Sequence, residues 1–187
     1  LYLNNARAIY FCAMPVTCMT AADIAEVQAL VNAAYRGDAS RAGWTTEADL
    51  IAGHQRIDAA SLQTMLQHDN ETVLLLRNDD GALEGCVYLQ QQPQGMYLGM
   101  LSVWPQQQAK GTGKRLMQAA EDFARSKQVH RIFMSVITVR TELIAWYQRR
   151  GYSDTGERKP FPNNPVFGTP LQPLEFMILE KELKAMC

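Results

Sequence analysis

The residues whose types and spacing carry the most chemistry are Gln108-Ala109-Lys110-Gly111-Thr112-Gly113-Lys114. Ahead of them, Met96 to Val103 is apolar and β-compatible, and Trp104-Pro105 stops it, because proline cannot donate to a sheet ladder. Behind them, Leu116, Ala120, Phe123, Ala124 and Lys127 recur at helical spacing, with Gln118, Glu121, Asp122 and Arg125 between. A strand thus turns into a helix through a glycine-containing loop. Such a turn leaves backbone N–H groups unpaired at a helix N-terminus, where the macrodipole adds roughly half a positive charge, and that combination binds phosphate. Gly111 and Gly113 permit close approach to the backbone, and Lys110, Lys114 and Arg115 supply countercharge. Spacing excludes two nucleotide motifs. A Walker loop requires glycine and Ser or Thr where Gln108 and Arg115 stand, and a dinucleotide fingerprint requires glycine in place of Leu116. The residues alone leave open a glycine-containing connection that binds nothing.

The elements that must position this loop follow from pattern. Val16 to Met19 is the expected first core strand, and residues 1–13 are set apart as an N-terminal extension, with 14–187 as a single domain. Thr20-Ala21-Ala22-Asp23 is a capping-box pattern opening a helix with Ile24, Val27, Val31 and Ala34 on its buried stripe, and Gly37 ends it. After a polar loop, Trp44 to Ile51 reads as a second helical start, and Asp58 caps a third helix on which Ile57 and Leu62 form a hydrophobic staple. Thr72 to Arg77, Leu83 to Gln91 and Met96 to Val103 are joined by turn residues and predict an antiparallel meander. Arg131 to Val136 should lie parallel to the Met96 strand through a right-handed crossover. A helix from about Glu142 to Arg150 and two last strands, Tyr152 to Glu157 and Leu174 to Glu180, complete the chain. The fold class is therefore mixed α/β, with a mostly antiparallel sheet flanked by helices and one parallel strand pair beside the loop.

Composition narrows the classes of partner. Hydrophobic residues at 47%, charged residues at 20% and a net charge of −1 are ordinary for a globular domain. With no basic excess and no charge block, nucleic acid is not an expected partner. Apolar stretches fall far short of the ~18 residues of a membrane span, so no membrane is expected either, and a cytoplasmic location is the default. Cys12, Cys18, Cys86 and Cys187 lack CxxC spacing, and His54, His68 and His130 are scattered, so reduced thiols and no metal site are expected. A homodimer is the expected assembly only because it is the commonest symmetric one.

Gln108, Gly111 and Gly113 meet the pattern Gln/Arg-x-x-Gly-x-Gly/Ala, and this stretch resembles the pyrophosphate loop of the GNAT superfamily of N-acetyltransferases. A second stretch, Trp146-Tyr147-Gln148-Arg149-Arg150-Gly151-Tyr152, is similar to the superfamily's Tyr-x-x-x-Gly-Phe signature, through Tyr147, Gly151 and Tyr152. Thr155-Gly156-Glu157 followed by Pro160-Phe161-Pro162 also looks like a bacterial branch of these enzymes. The resemblance implies acetyl-CoA as acyl-donor cosubstrate and transfer of the acetyl group to a primary amine by direct attack. It implies the cofactor-binding set Leu101, Ser102, Val103, Gln108, Ala109, Lys110, Gly111, Thr112, Gly113 and Lys114, the strand edge at Leu101 to Val103 holding the pantetheine arm and polarising the thioester. Tyr147 is the implied general acid for the departing thiolate, since a phenol donates a hydrogen bond and has a pKa near 10.

Two departures from the superfamily matter. The strand that opens the loop contains no carboxylate where many relatives carry a glutamate, which leaves Glu84 and Glu47 as candidate proton acceptors for the amine, acting through water. Arg140-Thr141 stands where many relatives carry an asparagine; Arg140 is suited to a cofactor phosphate or a substrate carboxylate. Arg149 and Arg150 are read as partners of helix C-terminal carbonyls. Tyr35, Trp44 and the segment from Lys159 to Pro173 are expected to wall the acceptor site. The acceptor is a small-molecule amine, an amino acid or a peptide N-terminus. The competing reading is an acyl-CoA-binding sensor or regulatory protein that kept the cofactor loop and lost turnover.

Overall fold

The computed structural model describes residues 9–11, 14–162 and 168–184. The strands are β1 (Ile9–Phe11), β2 (Met14–Cys18), β3 (Ile51–Ala52), β4 (Glu71–Arg77), β5 (Leu83–Gln92), β6 (Gly95–Val103), β7 (Arg131–Ile137), β8 (Ser153–Pro160), β9 (Thr169–Pro170) and β10 (Glu175–Glu182). The α-helices are α1 (Ile24–Tyr35), α2 (Gly37–Arg41), α3 (Ala59–Met65), α4 (Thr112–Ser126) and α5 (Thr141–Gln148). Eight strands form one sheet in the order β1-β2-β4-β5-β6-β7-β10-β8, and β3 pairs with β9 separately. Neighbours in the large sheet are antiparallel except β6 and β7, which are parallel. The expected mixed α/β architecture with one parallel pair is therefore the observed one.

Both faces of the sheet are covered, and for that reason β4 reads as an unbroken apolar run rather than an alternation. Val73 and Leu75 point into one core with Val27, Leu30 and Val31 of α1 and Leu62 of α3. Leu74 and Leu76 point into the other, with Leu116, Ala120 and Ala124 of α4 and Ile144 and Tyr147 of α5. The local signals hold where they are short-range. Asp23 accepts from the Thr20 N–H and hydroxyl, each at 2.8 Å, and Asp58 accepts from the Ser61 N–H at 2.7 Å.

Three readings need correction. Trp44 to Ile51 is not helical: Thr46 Oγ1 accepts the Ala48 N–H at 3.0 Å, a local bond that competes with the helix, and Ile51 pairs with Pro170 instead. The short helix of this region is α2, within the stretch expected to be a loop. Glu121, assigned to the polar face of α4, is 5% exposed, because Lys181 of β10 reaches it with bonds of 2.7 and 2.8 Å.

The feature that shapes the site is a parting of strands. β6 and β7 pair only at Met96–Ile132 and Tyr97–Phe133. Beyond these pairs, Met100 and Leu101 face Val87 alone, because the register runs Tyr88–Gly99 and then Cys86–Ser102. Such a bulge bends a strand, and Met100 takes a positive φ of 50°, an uncommon conformation for a residue with a side chain. β6 therefore swings away from β7. Since the two strands are parallel, the helices that follow them, α4 and α5, both begin at the same mouth.

Candidate functional site

Two cavities meet where β6 and β7 part. The larger, about 420 Å³, runs along the N-terminus of α4 and one side of α5. The smaller, about 220 Å³, lies between the strands beneath Phe161, Pro162 and Phe176. Tyr35, Leu101, Arg140, Leu143 and Tyr147 line both and form the wall between them.

The larger cavity has the chemistry of an anion site. Gly111 has φ +94°, which only glycine adopts without strain, and a Cβ built on it would meet no atom within 4 Å. Ala109 is also left-handed, at φ 61°. Among the described residues, no hydrogen bond takes up the backbone N–H groups from Ala109 to Lys114; the first satisfied amide of the turn is that of Arg115, bonded to the Gly111 carbonyl at 3.1 Å. Among the described residues Lys114, Arg140, Arg149 and Arg150 line this cavity and no carboxylate does. A row of unpaired amides at a helix N-terminus with four cations around it fits a pyrophosphate.

Gln108 has a different part from the one its motif suggested. Its Oε1 accepts from the Trp44 N–H at 2.7 Å and the Thr45 N–H at 3.4 Å, while its Nε2 donates to the Val103 carbonyl at 3.3 Å. The side chain thus ties the α2–β3 connection to the end of β6, and Gly43 exists to admit it: a Cβ there would sit 2.7 Å from Gln108 Oε1. Leu101 and Val103 line the larger cavity, but Ser102 is turned into the core, its hydroxyl donating to the Met100 carbonyl at 3.1 Å. Lys110 reaches Gln107 at 3.2 Å, and Thr112 is buried beside the loop, so neither side chain lines the cavity.

On the shared wall, Tyr147 packs edge-on to Trp146 and Tyr152, with ring centroids 5.1 and 6.0 Å away. Burial, followed by the neighbouring Tyr35, drives its phenol well above the ordinary range. Tyr35 donates to the Leu101 carbonyl at 3.1 Å, and burial first, then Glu47, pushes its phenol up to about 12. Arg140 donates to Glu47 Oε1 and to Thr45 Oγ1, both at 2.8 Å. Arg36, 3% exposed, holds the other oxygen of Glu47. Among the described residues Glu47 is the one carboxylate lining either cavity; Glu84 lies outside both, 3.5 Å from Arg115. Trp44, expected near the acceptor, is 48% exposed and lines the larger cavity instead.

Sequence reasoning passed over Arg36 and Arg56 on the smaller cavity and gave Arg149 and Arg150 only a capping role. Arg150 does donate to the Trp146 carbonyl at 2.7 Å, but its guanidinium also stacks 3.5 Å above the Trp146 ring, facing the larger cavity. No signal in the sequence marks Arg36, because its partner Glu47 stands in a segment misread as helix. Among the described residues no helix is long and apolar enough to cross a membrane, and no cluster of three or more His, Cys, Asp or Glu side chains is arranged to hold a metal ion.

The geometry can be set beside known proteins. The chain superposes on yncA from Salmonella typhimurium, solved with its cofactor acetyl-CoA, with a TM-score of 0.67 and 16% identity over 93% of this chain and 96% of that one. It superposes on ribosomal-protein-alanine N-acetyltransferase from Brucella melitensis with a TM-score of 0.67 and 18% identity, over 90% and 99%. A variant of the spermidine N-acetyltransferase SpeG from Vibrio cholerae gives 0.65 and 12%, over 89% and 92%. At such identities the likeness is one of fold. A search of curated proteins finds no match. Residues 27–152, from α1 through the loop and α5 to Tyr152, match the profile of the acetyltransferase (GNAT) family, and the chain belongs to that family of acyltransferases.

Proposed function

We propose that this N-acetyltransferase takes acetyl-CoA in the larger cavity and a primary amine in the smaller one, and transfers the acetyl group directly between them. The observation that carries the reading is the shared wall: Tyr147 and Arg140 line both cavities, so a group on this wall reaches the donor and the acceptor at once. The unpaired amides of Ala109 to Lys114, with Lys114, Arg149 and Arg150, hold the pyrophosphate; acetyl-CoA supplies the activated thioester. The step exchanges one acyl bond for another: the amine nitrogen forms the C–N bond, the C–S bond breaks, one proton leaves the nitrogen and one reaches the sulfur.

Tyr147 is the donor to that sulfur in this reading, supported by its position on the shared wall. Burial raises its pKa and so favours the protonated phenol, the state a donor requires. Glu47, with each oxygen taken by an arginine, acts as a positioning residue for Arg140 rather than as the proton acceptor. Glu84 steadies the first turn of α4 through Arg115. The nitrogen's proton is left to solvent, and the amine enters neutral.

The test is acetyl-CoA binding by calorimetry, with thiol release measured over a panel of amines. Tyr147→Phe keeps the packed ring, so the variant should fold and bind acetyl-CoA within about threefold of the unaltered protein. Its kcat should fall by about a hundredfold, the lower end of what a general acid contributes. Binding with no thiol release from any amine would favour a sensor. Unaltered kcat in Tyr147→Phe would remove the phenol from the mechanism.

A further inference from the structure

The smaller cavity has a charge balance that selects among amines. Among the described residues its lining includes three guanidinium groups, Arg36, Arg56 and Arg140, against the single carboxylate of Glu47. The remainder is apolar or neutral, with Tyr35, Tyr97 and Ser135 supplying hydroxyls. A polyamine or a lysine-rich peptide would bring further positive charge into a space already positive, and like charges in a desolvated site repel strongly.

Arg140 adds a directional element. Its terminal nitrogens are held by Glu47 and Thr45, its side chain is 10% exposed, and its Nε is buried with no hydrogen-bond partner among the described residues. A buried donor without an acceptor is costly, and a ligand oxygen that reached it would remove the cost. Arg56 also lines the cavity, its guanidinium 5.7 Å from the centre of the Tyr35 ring. About 220 Å³ is room for one small molecule.

Resting on the acetyl-transfer reading, we propose that the acceptor is an amino acid or an aminocarboxylate of similar size, its carboxylate held between Arg140 and Arg56 and its amine turned to the shared wall. The carboxylate supplies the negative charge that the cavity lacks, and the neutral amine attacks the thioester carbonyl at Tyr147.

The experiment has two readouts. Thiol release is measured with free amino acids, with the same amino acids as C-terminal amides, and with spermidine; binding of N-acetylalanine and N-acetylmethionine, against their amides, is measured by calorimetry with coenzyme A present. The free acids should exceed their amides at least tenfold in kcat/KM, and the N-acetyl acids should bind at least tenfold tighter than the N-acetyl amides. Arg56→Gln, at a half-buried position, should reduce both ratios to within about threefold, and Arg140→Lys should weaken acid binding with the charge retained. Amides equal to the acids, or spermidine as the best acceptor, would overturn the carboxylate site and leave acetyl transfer standing. Selective binding of N-acetyl acids with no thiol release from any amine would overturn acetyl transfer and leave the carboxylate site standing.

Discussion

Gln108 shows how much a single side chain can do away from the chemistry its motif advertises. Its three hydrogen bonds fix the connection at Trp44 and Thr45 to the end of β6, and the cost of that arrangement is a glycine at residue 43. The two positions should therefore be coupled. Gly43→Ala forces a Cβ to 2.7 Å from Gln108 Oε1 and should destabilise the protein by about 1–3 kcal/mol. Gln108→Ala alone should cost about 1–2 kcal/mol through lost hydrogen bonds. In the double variant the clash is absent, so the alanine at 43 should cost under about 0.5 kcal/mol, an interaction read from urea denaturation of all four proteins. None of this was legible in the chain, since Gln108 and Trp44 are 64 residues apart. The left-handed turn at Gly111 was legible because it is set by neighbours close in sequence. The cluster of Arg36, Glu47 and Arg140 was not, although Glu47 and Arg140 were named singly, because only the folded chain brings the three together.

At the scale of elements, the loop before α4 and the bulge in β6 decide the site. The loop was readable from its glycines, and the helix caps at Thr20 and Asp58 from their spacing, since each rests on contacts within a few residues. The bulge was not, because nothing in Gly99-Met100-Leu101 distinguishes a regular strand from one whose register slips by a residue. The same blindness turned Trp44 to Ile51 into a helix: its pattern is helical, but the partners of Thr46, Glu47 and Ile51 lie elsewhere. Gly111→Ala separates conformation from contact in the loop. A Cβ there meets open space, so the cost is the left-handed backbone alone, about 1–2 kcal/mol, or a lowering of Tm by roughly 2–8 °C. Because that Cβ would project over the amides assigned to pyrophosphate, acetyl-CoA affinity should also fall at least tenfold, measured by calorimetry below the lowered Tm.

Across the whole molecule, the sheet is sandwiched between two cores and seals several titratable groups inside. Tyr35 and Cys86 are each pushed by burial up to about 12, and Tyr147 and Tyr152 are also raised, burial being the largest cause throughout. A raised pKa means that the folded protein holds the proton longer than the unfolded chain does. The stability of each group is complete below its unfolded value, near 9 for the thiol and 10 for a phenol, and is lost as pH climbs from there toward the folded value. Unfolding free energy should be flat from pH 7 to about 8.5 and then fall above about pH 9, more steeply above about pH 10, each ionising group contributing up to about 1.4 kcal/mol per pH unit. Tyr35→Phe should flatten that decline, as followed by urea titrations across the range. The wall of Tyr35, Leu101, Arg140, Leu143 and Tyr147 has one consequence of another kind. With a different occupant on each face, it makes the two equilibria reciprocal: by whatever factor one occupant alters the affinity of the other, the other alters its affinity in return. Lys114 borders one side only and Arg56 the other, so their replacement perturbs one affinity at its source, whereas a change in the wall itself reaches both and alters the exchange between them.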